Sequence, residues 1–504
     1  MSGLYVAVLA GLALLGAPLF VIVGAATALA FVWFTGDHGT ALSLLPMIQN
    51  QEEMLTKQEF LAIPLFMASG AIMTAGGIAG RLVDFAKALL SWLPGGLAVA
   101  AVFACMFFAA ISGSSPVTLI AVGSILFPAM LASNYDEKFS IGLLTTSGSL
   151  GCLVPPSISM LIYAVTITST SAHVDPQDLF LAGLIPAALI GGSLAAYAVL
   201  HGLRNPAGRA PFSWPELVRA TKEGVWALLL PLLVLGGIYG GLYTPSEAGA
   251  VAALYALFVT VVIERQLTIA KLVSTLVESS TLMGSLILII VLAFGLNEFL
   301  AEIEVSQRLS AWIRASDLGP MEFLLVVNLL LVVVGALMDS ISCTLIFAPM
   351  LAPVAYDVYG IDPLHFGVVF VVNMEIGYLM PPVATNLFVA SAVFKKPFGL
   401  VTRAVLPTLA MTLVALWVFI RFPTLSVAAV RAQRGEADWT LPFPTDKRAP
   451  VVAAPTAAQN AAGLPAGAIP GAPKTDNLAA VTERMFADDA TPVAAPELSS
   501  ETNL

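Results

Sequence analysis

Gly148-Ser-Leu-Gly-Cys-Leu-Val-Pro-Pro-Ser-Ile158 sets glycines and two adjacent prolines inside an apolar run, and Gly377-Tyr-Leu-Met-Pro-Pro-Val383 does so again. A proline removes a backbone donor and clashes with the turn before it, so neither run continues as a regular helix. Both lie in stretches apolar enough for a bilayer, 141–169 and 366–393, where freed backbone groups are tolerated only beside protein or a wet cavity. The two stretches read as broken membrane helices.

Outward from each, a long apolar run carries a polar kink at its middle: Ser112-Gly-Ser-Ser-Pro116 within 97–131 and Met338-Asp-Ser-Ile-Ser342 within 322–354. Such runs suit re-entrant hairpins that enter and leave by one face. At an offset near 225 residues, Ser114 and Ser115 match Asp339 and Ser340, Pro128 matches Pro353, and Gly142 matches Gly367. After a one-residue shift, Gly151, Leu153, Pro155 and Pro156 match Gly377, Leu379, Pro381 and Pro382. The chain contains a duplicated unit.

The composition agrees: 58% of residues are hydrophobic and 11% charged, against about 25% charged in soluble domains. Further apolar segments fall near 4–34, 59–76, 181–201, 224–241, 248–264, 279–299 and 404–421. The first lacks the basic start and cleavage site of a signal peptide and reads as a retained span. Cys105, Cys152 and Cys343 lie far apart in apolar segments, which fits buried thiols better than a disulfide framework or zinc site. The net charge of −10 owes much to acids beyond Glu436, and no basic patch supports nucleic-acid binding.

With both kinked runs taken as hairpins, Arg81, Lys87, Arg204 to Lys222, Arg265, Lys271 and Lys395 to Arg403 fall on one side. Asp37, Glu52, Glu53, Asp175, Asp178, Asp357 and Asp362 fall on the other. Cytoplasmic loops carry the Lys and Arg excess, so the basic side is inside, the first hairpin's mouth opens inside and the second's outside. Met1 is then inside and the tail outside, unless Pro18 splits the first span. The expected architecture is an all-α membrane protein on an inverted-topology repeat. Its divisions are 1–202 for the first half, 203–247 for a linker and connecting helix, 248–425 for the second half and 426–504 for a disordered Ala/Pro-rich tail.

Freed carbonyls with Ser, Asn and Asp oxygens suit a hard cation such as sodium, and half-helix N-termini offer amides and a positive dipole end to an anion. Asp339 is an acid at membrane depth, costing about 2.5–3.5 kcal/mol on insertion scales, which points to ion coordination or hydrogen bonding; a helix-end acid reaching the headgroups is the alternative. Glu375 is either a protonated buried acid or part of a wet path. His38, His173 and His201 fall in expected loops, and His365 opens a helix. The sequence has no nucleophile elbow, phosphate-binding loop or His-Glu-x-x-His, which argues against ATP-driven pumping by this chain.

Phe107-Phe-Ala-Ala-Ile-Ser-Gly-Ser-Ser-Pro116, the Gly148 to Ile158 run, Gly360-Ile-Asp-Pro-Leu-His-Phe-Gly367 and Met380-Pro-Pro-Val-Ala-Thr-Asn-Leu-Phe388 together resemble the large membrane subunit of the TRAP (tripartite ATP-independent periplasmic) transporters, and Leu93-Pro-Gly-Gly-Leu97 also fits. The resemblance covers about residues 1–422. It implies an elevator-type fold in a bacterial inner membrane and uptake of small organic anions rather than enzymatic turnover. It further implies sodium coupling, a four-helix membrane partner and a periplasmic substrate-binding protein. Carried over by motif, a first sodium site would use Ser112 and Ser115 with Gly148 and Gly151, and a second Asp339 and Ser342 with Asn373 and Gly377. Ser114, Ser157 and Asp339 would shape the substrate pocket. The family usually has Thr before the second Pro-Pro pair and Gly two residues after it, where this chain has Met380 and Ala384, so one ligand of the second ion site is in question.

Two other readings stay open on the residues alone. A single-component sodium/carboxylate or arsenite-type carrier poses the same physics and differs by needing no partner gene. An intramembrane enzyme using Asp339 and Glu375 as paired acids would turn over in detergent without a gradient.

Overall fold

The two halves trace the same series of helices, matched element by element. The computed structural model describes residues 8, 11–12, 19–34, 58–167, 170–204, 209, 211–316, 318–382, 384–436 and 440–443. The first half runs α1 Leu19–Phe34, α2 Glu59–Ala75, α3 Ile78–Leu90, α4 Gly96–Ser112, α5 Ser115–Ala132, α6 Glu137–Ser149, α7 Ile158–Thr166 and α8 Pro176–Arg204. After a connecting helix, α9 Trp214–Tyr239, the second half runs α10 Pro245–Ile263, α11 Ile269–Glu302, α12 Val305–Ala315, α13 Pro320–Leu337, α14 Ser340–Tyr359, α15 Pro363–Gly377, α16 Thr385–Phe394 and α17 Phe398–Arg421. α18, Thr424–Gln433, follows. The hairpins are α4/α5 and α13/α14, and the broken helices are α6/α7 and α15/α16.

Packing obeys the repeat by exchange. α1 lies on α11 and α10 on α2; α6 lies on α17 and α8 on α15; α7 meets the second hairpin and α16 the first. Each half thus buries part of its apolar surface against the other, as an inverted repeat related by a pseudo-two-fold axis allows. Outward faces stay apolar, with Leu232 and Leu254 about two-thirds exposed, as lipid contact allows.

Contacts also gather the loops into two ends. At one, Arg81 reaches Glu223 at 3.1 Å and Glu264 at 3.4 Å, and Lys396 pairs with Glu137 beside the first hairpin's mouth. At the other, Ser171 donates to Asp357 at 2.9 Å beside the second hairpin's mouth, and Arg434 pairs with Asp178. The hairpins therefore enter from opposite ends, and the basic and acidic loops sort as the charge pattern predicts. Asp37, Glu52 and Glu53, with the part of the first span before Leu19 and His38, lie outside the described residues.

Three expectations change. Arg81 and Lys87 sit not in a loop but on α3, joined to α2 by a 73° bend, and α12 is its counterpart. Ile78, Ala79, Leu82, Val83 and Ala86 bury one face of α3, an amphipathic spacing that a span-length hydropathy window averages away. His201 belongs to the last turn of α8, stacked on Phe139 with centroids 3.7 Å apart, rather than to a loop. The tail does not lose structure at Ser426: α18 buries Ser426, Val427 and Val430 against α8 and α15, and Ser426 Oγ meets Nδ1 of His365 at 3.3 Å. Short apolar residues at helical spacing suffice there because a packed surface awaits them. The chain divides into two units after Val451, and residues from 444 onward lie outside the described ones.

Inside α14, Pro349 and Pro353 each leave the carbonyl four residues earlier without its helix donor. The structure satisfies both: Asn297 Nδ2 of α11 donates to Leu345 O at 2.8 Å, and Ser306 Oγ of α12 donates to Pro349 O at 3.4 Å. The prolines thereby fasten the second hairpin to the α11–α12 arm. Replacing Asn297 by Leu strands Leu345 O and is expected to lower stability by about 1–3 kcal/mol, read as a lower thermal midpoint of the detergent-purified protein; an unchanged midpoint would show that the freed carbonyl finds another donor.

Candidate functional site

The first hairpin tip turns on Gly113, whose φ of +59° favours glycine, and a Cβ there would lie 2.7 Å from Pro156 O. Ser112 is buried, its hydroxyl 2.8 Å from Thr118 Oγ1 and 3.2 Å from Ser114 O. Gly151 lets the first break press on this tip, since a Cβ would sit 2.7 Å from Ser114 C and 2.8 Å from Ser115 N. Gly148 gives the same close approach to Leu119. Gly148 and Gly151 thus pack the first break directly on the first tip, at Leu119, Ser114 and Ser115.

At the second tip, the Asp339 carboxylate caps α14: Oδ2 accepts from the amides of Ile341 and Ser342 at 3.1 Å, and Oδ1 accepts from Ser342 Oγ at 2.7 Å. It is half-buried, and its work in this geometry is to neutralise a helix N-terminus. Gly377 stacks on Gly335, where a Cβ would lie 2.8 Å from the opposing backbone. Asn373 donates to Asn328 Oδ1 and, at 2.8 Å, to Val369 O. Tip and break meet through Ser340 Oγ and Tyr378 OH, 2.7 Å apart, with Ser159 Oγ of α7 3.5 Å from Ser340.

The four half-helix N-termini differ. Ser157 caps α7, accepting from Met160 N at 3.4 Å while donating to Cys152 O, and Asp339 caps α14. α5 and α16 have no side-chain cap, and they meet: Asn386 Nδ2 donates to Ser115 Oγ at 2.5 Å. Two positive dipole ends from opposite halves converge on one polar contact. Ser114 beside it is half-buried, and Met380, Pro381 and Pro382 at the second break are exposed, whereas Leu150 to Ser157 at the first break are buried. Both Pro-Pro peptide bonds are cis.

Equivalent positions in the two breaks each hold a buried oxygen with no hydrogen-bond partner, Ser147 Oγ in the first and Asn373 Oδ1 in the second. Asn386 Oδ1 and Glu375 Oε2 are buried and unpartnered as well. Spare buried oxygens are the ligand type a hard cation takes. Among the described residues, the buried polar and charged set contains no Lys or Arg, so no fixed cation competes for them.

Sequence reading placed Ser340 in the second kink and Ser147 at the start of the first break without giving either a role of its own, and it missed Asn386 and Tyr378 as site residues. Asn386 carried a signal, an amide in an apolar run just past the proline pair. Its partner Ser115 is 271 residues away, and no spacing rule reaches that far.

Comparison with known proteins follows the same lines. The family model described as "Tripartite ATP-independent periplasmic transporter, DctM component" matches residues 6–425. The chain is 42% identical over 407 residues to the C4-dicarboxylate TRAP transporter large permease protein DctM of Pseudomonas aeruginosa, covering 80% of this chain and 92% of that protein. It is 36% identical over 374 residues to the isethionate TRAP transporter permease protein DctMQ of Oleidesulfovibrio alaskensis, covering 72% of this chain and 57% of that protein. The crystal structure of the Alcanivorax borkumensis YdaH transporter is similar in fold, with a TM-score of 0.55 at 15% identity, covering 84% of this chain and 98% of that one.

Ala384 stands at φ +39°, ψ 68°, the left-handed region that glycine enters freely and a β-branched side chain essentially never does. Ala384→Gly is expected to keep stability within about 1 kcal/mol, whereas Ala384→Val should cost about 2 kcal/mol or more, seen as a lower thermal midpoint of the purified protein. Equal midpoints for the two variants would place residue 384 outside that backbone region.

Proposed function

The chain belongs to the DctM component family of the tripartite ATP-independent periplasmic transporters, a permease subunit and not an enzyme, and on that premise we propose that it is the translocating subunit for sodium-driven uptake of a small organic anion. The observation that carries this reading is the meeting of the uncapped N-termini of α5 and α16 at Ser115 and Asn386. A carboxylate placed there accepts hydrogen bonds from first-turn amides and gains from both helix dipoles, with no arginine or lysine required. Ser114 adjoins Ser115 and is half-buried, and in our reading Asp339 also lines the approach, where it would disfavour a second negative charge unless a cation accompanied it.

Sodium suits the two breaks because their spare partners are oxygens: Ser147 near Gly148 and Gly151, and Asn373 near Gly377. A cation that completes each break stabilises the geometry in which α5 and α16 converge, which is how ion binding would favour substrate binding. The C4-dicarboxylate named for the Pseudomonas aeruginosa relative makes that class the first substrate to test. The isethionate relative extends well beyond the region matched by this chain, and a small membrane subunit is the partner we propose for this chain. A periplasmic binding protein would deliver the anion at the acidic end, where the second hairpin opens, and the basic end would face the cytoplasm across the inner membrane.

Proteoliposomes containing the chain, its small membrane subunit and its binding protein are expected to accumulate radiolabelled C4-dicarboxylate only under an inward sodium gradient. Asn386→Leu, which keeps the branched side-chain skeleton but removes the polar contact to Ser115, should reduce uptake by about fivefold to tenfold, consistent with one buried hydrogen bond. Gradient-driven uptake by the chain alone would establish a single-component carrier instead, and no gradient dependence across a panel of organic acids would overturn the coupling.

A further inference from the structure

Ser149 Oγ and Glu375 Oε1 lie 2.9 Å apart, and the two residues are 226 positions apart in the chain. That separation is the offset at which Gly151 matches Gly377 and Pro155 matches Pro381. Ser149 and Glu375 are thus each other's counterparts in the inverted repeat. A residue that touches its own counterpart lies on the pseudo-two-fold axis, so this hydrogen bond sits where the two halves meet. Ser149 belongs to the break at Gly148 to Gly151 and Glu375 to the break at Asn373 to Gly377, which makes their contact a direct link between the two candidate sodium sites.

The surroundings isolate this link. Both residues are fully buried, Ser149 Oγ also lies 2.7 Å from Thr146 O, so that its single hydrogen is shared between that carbonyl and Glu375 Oε1, and Glu375 Oε2 has no partner. Among the described residues no lysine or arginine is buried, so the carboxyl is not explained as half of a salt bridge. The other polar contacts of the breaks run elsewhere: Asn373 to Asn328, Ser340 to Tyr378, and Ser115 to Asn386. A buried carboxyl is a costly way to fill space, and an apolar residue of like volume would pack there without the penalty.

We propose that Glu375 is a positioning residue whose hydrogen bond to Ser149 joins the two helix breaks, so that sodium bound at one break orders the other. The inference rests on the sodium reading given above. With the bridge in place, the first ion fixes the axis contact and the second finds its break already ordered, which is positive cooperativity by linkage. Without it, the breaks lose this direct link and keep the contacts of Ser115 with Asn386 and Ser159 with Ser340 between the hairpin tips and the second halves of the broken helices, which weakens the coupling.

The test is equilibrium binding of radioactive sodium to the purified full-length chain, with choline replacing sodium at constant ionic strength. The wild type is expected to bind with a Hill slope above 1. Ser149→Ala and Glu375→Ala should each bring the slope down toward 1 and raise half-saturation about fivefold or more, the scale of an ordinary coupling energy. Glu375→Gln, which offers the same acceptor oxygen without charge, should retain the wild-type slope, and the Ser149→Ala/Glu375→Ala double variant should be no worse than either single one. A merely structural role would lower the thermal midpoint of Glu375→Ala and leave the slope unchanged. Wild-type slopes in both alanine variants, deficits that add in the double variant, or a slope of about 1 in the wild type overturn the coupling while sodium binding stands. A wild type that binds no sodium overturns the sodium reading itself, and the coupling with it.

Discussion

In a lipid environment every backbone donor and acceptor must find its partner within the protein, and this chain breaks four of its own helices at membrane depth. The rest of the structure follows from meeting that demand. Glycines at 113, 151, 335 and 377 bring backbone against backbone where the breaks occur, and side chains from distant elements collect the freed groups. α14 shows the principle most simply: two prolines free Leu345 O and Pro349 O, and the arm formed by α11 and α12 answers each with one side chain. What would be a defect in an isolated helix becomes a specific attachment between elements.

The same demand explains why some polar residues at the breaks cannot be read as ligands from type alone. Ser157 and Asp339 have oxygens suited to an ion or a substrate, yet both are engaged in capping the helices they precede. The groups left over are Ser147 Oγ, Asn373 Oδ1 and Asn386 Oδ1, together with the ends of α5 and α16 that no side chain caps, where Asn386 N already donates to a carbonyl, Tyr378 O at 3.3 Å. Capping at α7 and α14 and its absence at α5 and α16 divide the four dipole ends into two neutralised and two available. The available pair comes from opposite halves, so the anion-attracting position exists only once the halves have interlocked.

The fold was legible in the sequence to the extent that its signals are local. Proline pairs, polar kinks and the duplicated spacing revealed hairpins, breaks and an inverted repeat, and charge placement sorted the loops into two ends. α3 and α12 escaped because an amphipathic helix in a membrane protein looks like a loop to hydropathy. α18 escaped because its Ala and Val residues stabilise a helix only against α8 and α15, a surface invisible along the chain. The polar contacts at the centre were the least legible: Ser115 with Asn386 and Ser149 with Glu375 each bridge more than 200 residues, and only folding decides which Ser meets which partner.

The exchange of partners between halves bears on how such a molecule can move. α1 packs on α11 and α10 on α2, so the outer helices of the two halves clasp each other, while α7 and α16 cross over to the opposite hairpins. Two interlocked groups result, an outer one and an inner one, joined by the bent α2/α3 arm and by its counterpart α11/α12. Arg81 on α3 is held by Glu223 and Glu264 at the basic end, and Asn297 and Ser306 hold α14 toward the acidic end. The first set is ionic and partly solvated, and so is weak and readily remade; the second is partly buried hydrogen bonding to carbonyls that have no other donor in the helix. Were the inner group to slide, the cost would be least where it exchanges the ionic contacts of α3, and the second hairpin would travel with its arm or release it only when its two freed carbonyls found water.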